Sequence, residues 1–388
     1  MAMDGSGYST VRIRSVKDVL SSSAWPQSAR DVDLESLTAR ASLSTHRVVD
    51  RLRFAAELGR EIEPLRVGSA GSMFATLAAI AAVDVQLARS VEPHLDALGI
   101  LAQAGMPAGE GTWGVFAAEA PGLALCAEPR RAGKGEGNGY NAGEHGVSLS
   151  GTKPWCSLAA EVDHALVTAN VEGGSRGLFA VDLGAPGITT HPEAWVARGM
   201  QEVPSGPVDF DAVPAQPVGE PGWYLRRPGF AWGGIGVAAC WWGSAIGVAR
   251  TLRDAAANAP DPWRLLAVGE VTVALADAED ALATAAAAID SGTERTDAAW
   301  SAEAHLARSR VRRAVDTVLQ TTTQTLGPAP SATNASYASR IADLELYVLQ
   351  DHGRKDLARL GELVLAAAAS DREPSAVPER APAGVFAW

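Results

Sequence analysis

Few residues in this chain combine a type and a spacing that could do chemistry. His352, beside Asp351, can act as an acid or base near neutral pH, because an unperturbed imidazole titrates there. The plainer alternative is that Asp351-His352-Gly353 ends or kinks a helix at the surface. The other singled-out histidines read as packing or hydrogen-bonding residues: His94 two residues before Asp96 on a helix, His164 beside Asp163 at a strand start, and His305 in the exposed-looking Glu303–Arg308 run. None is paired with a Glu at the i, i+4 spacing of a zinc helix, so no metal is expected. A Gly-x-Ser-x-Gly hydrolase elbow is absent as well. Two stretches match G-x-G-x-x-A. The first, Gly137–Ala142, has no apolar strand before it and no helix start behind it to receive a pyrophosphate. The second, Gly234–Ala239, reads as glycines that let two helices pack closely.

The elements that must position these residues fall into an order of helices, strands, helices. Leu34–Leu58 has apolar residues at helical spacing, and Ser69–Ser72 reads as a loop. Met73–Arg89 is apolar nearly all round, which predicts a buried helix. Another starts at Val91, with Pro93 suited to its first turn. Between Thr112 and Gly219 come short strand-like runs bounded by Gly, Pro and Asn: Leu123–Cys126 stopped by Glu128-Pro129, Gly146–Gly151, and Ala165–Ala169. From Gly236 onward the chain predicts four long helices, over 234–257, 263–291, 299–326 and 335–369, and hence a bundle. The tryptophans Trp223, Trp232, Trp241 and Trp242 cluster at the entry to that bundle, where they are expected to fill the domain junction.

At 388 residues the chain is too long for one hydrophobic core. The net charge of −12 and a pI near 5.1 argue against a nucleic-acid partner, as does the lack of a basic stripe. Cys126, Cys156 and Cys240 are odd in number and form no C-x-x-C, so buried reduced thiols and a cytoplasmic location are expected. The N-terminal segment has no apolar core with a small-residue cleavage site. Phe74–Ala82 is too short to span a bilayer, so the protein is expected to be soluble, without a membrane partner.

Ala127-Glu128-Pro129, followed by Gly151-Thr152-Lys153-Pro154-Trp155-Cys156-Ser157, resembles the acyl-CoA dehydrogenase family. That family has a Thr-Glu-Pro turn and a Gly-x-Lys-x-Trp-Ile-Thr/Ser strand around its flavin. Phe210–Ala215 and Gln324-Thr325-Leu326-Gly327 match in the same order, the latter where the family carries a Gln-x-x-Gly-Gly turn. The resemblance spans roughly residues 50 to 365. It implies an α+β multidomain fold: an N-terminal helical domain (1–111), a central β-barrel domain (112–219) and a C-terminal four-helix bundle (220–370), followed by a Pro/Ala-rich tail (371–388).

The resemblance also implies a site. Trp155 would pack on the isoalloxazine of FAD, with Ser157 offering a hydroxyl near its N5 and the backbone at Cys126, Ala127 and Cys156 close by. Gln324 and Gly327 would meet the rest of the cofactor. Counting from Asp343 and Tyr347 in the family's Asp-x-x-x-Tyr-x-x-Tyr-Glu-Gly-Thr run, the catalytic Glu falls on Asp351, with His352 as an alternative base. Asp is one methylene shorter, and a displacement of about 1 Å can cost about 10²-fold in rate. Other departures concern the cofactor. Ala127 lacks the family's threonine hydroxyl, Pro328 replaces a glycine and removes an N–H, and the Arg-x-x-Phe-Gly run is replaced by Ala259–Arg264.

The leading expectation is an FAD-dependent α,β-desaturation of an acyl substrate, in a homodimer or homotetramer, with an electron-accepting flavoprotein as a further partner. Whether the substrate is a CoA thioester rests on Arg130, Arg131 and Lys134 in the 130–144 loop, which also reads as a solvated charged loop. Two alternatives stand beside it: a flavin-dependent monooxygenase on the same fold, which needs no carboxylate base, and a flavin-free scaffold or partner subunit.

Overall fold

A computed structural model describes residues 20–129 and 146–370. The Gly137–Ala142 match, the basic residues of the 130–144 loop and the tail from 371 onward lie outside the described residues. Five helices come first: α1 (Gln27–Arg30), α2 (Leu34–Leu43), α3 (Val48–Glu61), α4 (Ala70–Val83) and α5 (Val85–Gln103). Seven strands follow: β1 (Trp113–Phe116), β2 (Leu125–Pro129), β3 (Val147–Lys153), β4 (His164–Asn170), β5 (Arg176–Asp182), β6 (Ile188–Thr190) and β7 (Val208–Pro217). The chain then returns to helices: α6 (Trp223–Arg226), α7 (Pro228–Asn258), α8 (Pro262–Asp290), α9 (Asp297–Leu326), α10 (Pro328–Thr333), α11 (Ala335–Tyr347) and α12 (Arg354–Ser370).

The strands close on themselves. β4 pairs with β2, β2 with β3, β3 with β7, β7 with β5, and β5 again with β4, which makes a small barrel without free edges in that ring. β1 adds in parallel to β4, with Trp113 opposite His164. The barrel core holds one unexpected member. Lys153 is almost wholly buried, and its ammonium donates to Glu119 Oε1 (2.7 Å) and Thr168 Oγ1 (2.8 Å). Burial pushes its pKa down, and the Glu119 partner pulls it back up.

Helix limits differ from the sequence expectation where side chains decide them. The stretch 34–58 is two helices, because Ser42 and Ser44 return hydrogen bonds to Thr38 O and Arg40 O, and Arg51 takes the Thr45 carbonyl. Ser69–Ser72 is the start of α4 rather than a loop: Asp290, far along the chain, accepts from Ala70 N and Gly71 N. The break expected near Ser90 falls at Asp84, whose carboxylate caps α5 through Leu87 N (2.7 Å), so Pro93 lies in the helix interior. The 335–369 helix is interrupted after Tyr347 by a 3₁₀ turn and by Gly353 at φ 57°, a backbone conformation that favours glycine. The kink alternative for Asp351-His352-Gly353 thus describes the backbone.

α7 is the central helix of the second helical part, packed on α4, α5, α8, α9 and α11. Of the glycines singled out in the sequence, Gly236 packs as expected, since a Cβ there would touch Leu77 and Phe74, whereas Gly234 meets only the Arg308 side chain; the tightest approach is at Gly243, where a Cβ would stand 2.0 Å from Ala78 O. Among the described helices α7 alone is long and apolar enough to cross a membrane. Of its most apolar window 83% is buried inside the protein, as in a core helix. Trp241 and Trp242 are fully buried there, and the Trp242 indole donates to Leu275 O (3.0 Å), so these two fill a junction.

Candidate functional site

The turn leaving β3 carries the motif residues to the barrel rim. Pairing of Leu125–Ala127 with Leu149–Gly151 brings Cys126 and Ala127 to the strand that this turn continues. Gly151 permits the closeness, since a Cβ there would lie 2.2 Å from Ala124 O. Trp155 adopts φ 58°, sparsely populated for a bulky residue, and the residue is 56% exposed. It is not a core aromatic. Cys156 is buried with its thiol donating to Lys153 O (3.3 Å), and burial pushes its pKa up, so it is inert packing. Cys126 is exposed.

Ser157 connects this rim to the helical part. Its hydroxyl meets Ser205 Oγ (2.8 Å) and accepts from Arg89 of α5 (3.0 Å). The other arm of the same guanidinium donates to Glu92 Oε2 (3.1 Å), and Arg89 also stands over the Tyr347 ring. Glu92 is 8% exposed, and desolvation raises its pKa to about 7 against the pull of Arg89. One turn further, Asp96 has its pKa raised by burial too, with Arg227 opposing at 3.9 Å. A ladder of Arg89, Glu92 and Asp96 on one face of α5 therefore runs inward from the motif turn.

Glu92 and Asp96 form one wall of a cavity of about 460 Å³ between α5, α6, α7, α9 and the start of α12. Tyr224, Phe230 and Trp300 supply aromatic surface, and Val237 and Ala304 supply aliphatic surface. This size and mixture are typical of a small-molecule site. Arg308 lines the cavity but is committed to the protein, donating to Gly234 O (2.8 Å) and Gln350 O (3.1 Å) and covering the Trp241 ring. At the mouth, Asp356 lies between His352 Nδ1 (3.4 Å) and His305 Nδ1 (4.0 Å). Burial pushes the His305 pKa down, and its Nδ1 has no hydrogen-bond partner among the described residues. His305 is thus part of a cavity wall rather than of an exposed run.

The expected site residues divide. His352 lines the cavity mouth and is mostly exposed. Asp351 is buried, does not line the cavity, and turns Oδ1 back to Gly353 N (2.7 Å), leaving Oδ2 buried without a partner among the described residues. Asp343, the reference point of that count, is an anchor: it accepts from Met200 N (2.6 Å), Ser339 Oγ and Gln86 Nε2. Gln324 lies in a separate groove of about 590 Å³ with Asp261, Trp263 and Glu270, and Gly327 caps α9. His94 is a satisfied core histidine: Nδ1 accepts from Trp113 N, and burial lowers its pKa to about 4. Sequence reasoning passed over Arg89 and Glu92. The available signal was their spacing with Asp96 on one helical face, in a helix otherwise buried.

These residues fit the two ends of a flavin unequally. An exposed indole beside a hydroxyl at a barrel rim fits a flat ring system. The groove at Gln324 offers carboxylates where a pyrophosphate would need cations, and its Arg264 is held by Asp261 and the carbonyls of Ala255 and Ala259.

No profile of a known protein family matches this sequence, and no curated protein matches it. Solved structures do. TdsC from Paenibacillus sp. A11-2, a dibenzothiophene monooxygenase solved with FMN and indole, aligns over 88% of this chain and 98% of its own, with TM-score 0.70 and 17% identity. KijD3, solved with FMN and a dTDP-linked 3-amino-4-keto sugar, aligns over 93% and 92% (TM-score 0.65, 19% identity). A glutaryl-CoA dehydrogenase from Mycobacterium smegmatis, in complex with FADH2, aligns over 88% and 96% (TM-score 0.67, 16% identity). The chain therefore has the acyl-CoA dehydrogenase fold that its motifs resembled.

Proposed function

We propose that this protein is a flavin-dependent oxidoreductase of the monooxygenase type, which uses FMN as an exchangeable partner and oxidises a small organic molecule held in the cavity of about 460 Å³. The carrying observation is the unequal fit: Trp155 and Ser157 suit the flavin ring, whereas the groove at Gln324 is acidic where an adenylate tail would need cations. TdsC and KijD3 supporting FMN on this fold agree with that reading. When bound and reduced, the flavin would supply two electrons to O2 as co-substrate, so that one oxygen atom enters the organic molecule and the other leaves as water. The chain's own part is to hold the ring at Trp155 and to orient the Ser157 hydroxyl through Arg89. It also keeps the substrate between α5 and α9, with Glu92 able to take or give a proton near neutral pH.

One observation favours the dehydrogenase reading as second. Glu92, with proton affinity near neutrality and a place in the cavity wall, is better suited to take a substrate proton than Asp351, which faces its own backbone. FAD retention, an acyl thioester substrate, an electron-accepting flavoprotein and a homo-oligomer belong to that reading.

Anaerobic equilibrium dialysis with FMN and FAD, each oxidised and reduced, separates the two. The expected result is that reduced FMN binds at least about tenfold tighter than oxidised FMN, a difference of about 1.4 kcal/mol, and that the adenylate tail adds little. FAD held through purification, and bound far tighter than FMN, would favour the dehydrogenase. No uptake of any flavin would sink both and leave the flavin-free scaffold.

A further inference from the structure

We propose that the cavity between α5 and α9 selects an organic cation, a small aromatic or aliphatic amine in its ammonium form, bound between the carboxylates of Glu92 and Asp96 and the rings of Tyr224, Phe230 and Trp300. That choice of substrate rests on this cavity being the substrate site.

Two carboxylates in this wall have unmet hydrogen bonds. Buried carboxylates are ordinarily paired, because removing a charge from water costs several kcal/mol. Glu92 has one oxygen on Arg89, and its Oε1 accepts no hydrogen bond from any described residue. Asp96 is half-buried; among the described residues it accepts no hydrogen bond at either oxygen and its one ion pair is the long 3.9 Å approach of Arg227. Both line the cavity, a helical turn apart on the same face, so their unmet oxygens share one volume.

The cations nearby do not answer them. Arg227 donates to Gln103 Oε1 (2.8 Å) and lies over the rings of Trp223 and Tyr224. Arg308 is turned to two backbone carbonyls and the Trp241 face. Among the described residues Arg227 Nε has no hydrogen-bond partner, but the rest of Arg227 and the Arg308 guanidinium are held by protein groups, so the free oxygens of Glu92 and Asp96 are left for a ligand. Aromatic walls strengthen the case, since ring faces attract a desolvated ammonium by their quadrupole. A neutral or anionic substrate would leave the two carboxylates unanswered.

Isothermal titration of the full-length protein without flavin tests this with three indoles of similar shape: tryptamine, 3-ethylindole and indole-3-propionate. The expected result at pH 8 is tryptamine bound at least tenfold tighter than 3-ethylindole, with indole-3-propionate weakest. In Asp96→Asn and Glu92→Gln, tryptamine affinity should fall about tenfold while 3-ethylindole affinity holds. Equal affinity for tryptamine and 3-ethylindole in the wild type would overturn the proposal, even if neither variant folds. Tighter binding of indole-3-propionate would overturn it too, and would assign the site to the arginines. Because no flavin enters the measurement, failure here is distinct from failure to bind FMN.

Discussion

At the scale of single residues, the site is built from groups held away from their ordinary state. Glu92 is the sharpest case, with a proton affinity near 7 set by burial, lowered by Arg89, raised further by the like charge of Asp96 and lowered by Arg308. A carboxyl whose pKa is higher folded than unfolded makes the folded state bind more protons between the two values. Stability therefore falls as pH rises from about 4.5 to about 7. A shift of this size corresponds to about 3 kcal/mol. In Glu92→Gln that slope should flatten, so thermal denaturation from pH 5 to 8 should show the variant gaining on the wild type as pH rises. A parallel pair of curves would show that Glu92 is ionised throughout. Lys153 shows the opposite use of charge. The motif lysine is a barrel pin on Glu119 and Thr168, which its neighbours in sequence could not reveal.

At the scale of elements, the decisive contacts are places where one helix ends or touches another. α4 starts where it does because Asp290 reaches its first amides from α8. α5 starts at its own Asp84, and this phase turns Arg89, Glu92 and Asp96 toward the motif turn and the cavity. α4 and α7 meet where Gly243 faces the Ala78 carbonyl. Gly243→Ala places a methyl in that backbone contact and should cost about 1–3 kcal/mol by overpacking. Urea unfolding is the check, and the wild-type midpoint in the variant would mean that the helices part freely. Gly269→Ala, on the open side of α8, meets nothing within 4 Å and serves as the control; it should be neutral or slightly stabilising.

At the scale of the whole molecule, the two helical parts are tied by carboxylates reaching across the chain. Glu279 of α8 is buried and accepts from the amides of Ser21 and Ser22, the Ser21 hydroxyl and the Trp25 indole. Asp343 of α11 does the same for the loop at Met200 and for α5. Glu279→Ala leaves several donors unmet at once and should destabilise by about 3 kcal/mol. Protease should then cut near residue 22 before the core opens. Intact resistance there would show that Trp25 packing on Trp242 holds the segment without the carboxylate.

The sequence by itself determined the order of helices, strands and helices, strand-like runs at 123–126, 146–151 and 165–169, and the fold resemblance carried by Gly151–Ser157. These are legible because periodicity and turn residues act locally. The first run lies two residues further on, because Glu128 and Pro129 pair with Ser148 and Val147 instead of ending the strand. The close packing of α7 was legible for the same reason, as glycines in a helix have few other uses. What only the tertiary structure decided is which polar groups meet: Asp290 with α4, Arg89 with Ser157, and the two unanswered carboxylates of α5 with one cavity. The Asp351 position was countable from Asp343, but the direction of its side chain depends on the turn at Gly353. Neither spacing nor composition encodes what lies across a cavity, because burial and pairing are set by residues far along the chain, 68 positions away for Arg89 and Ser157 and 220 for Ala70 and Asp290.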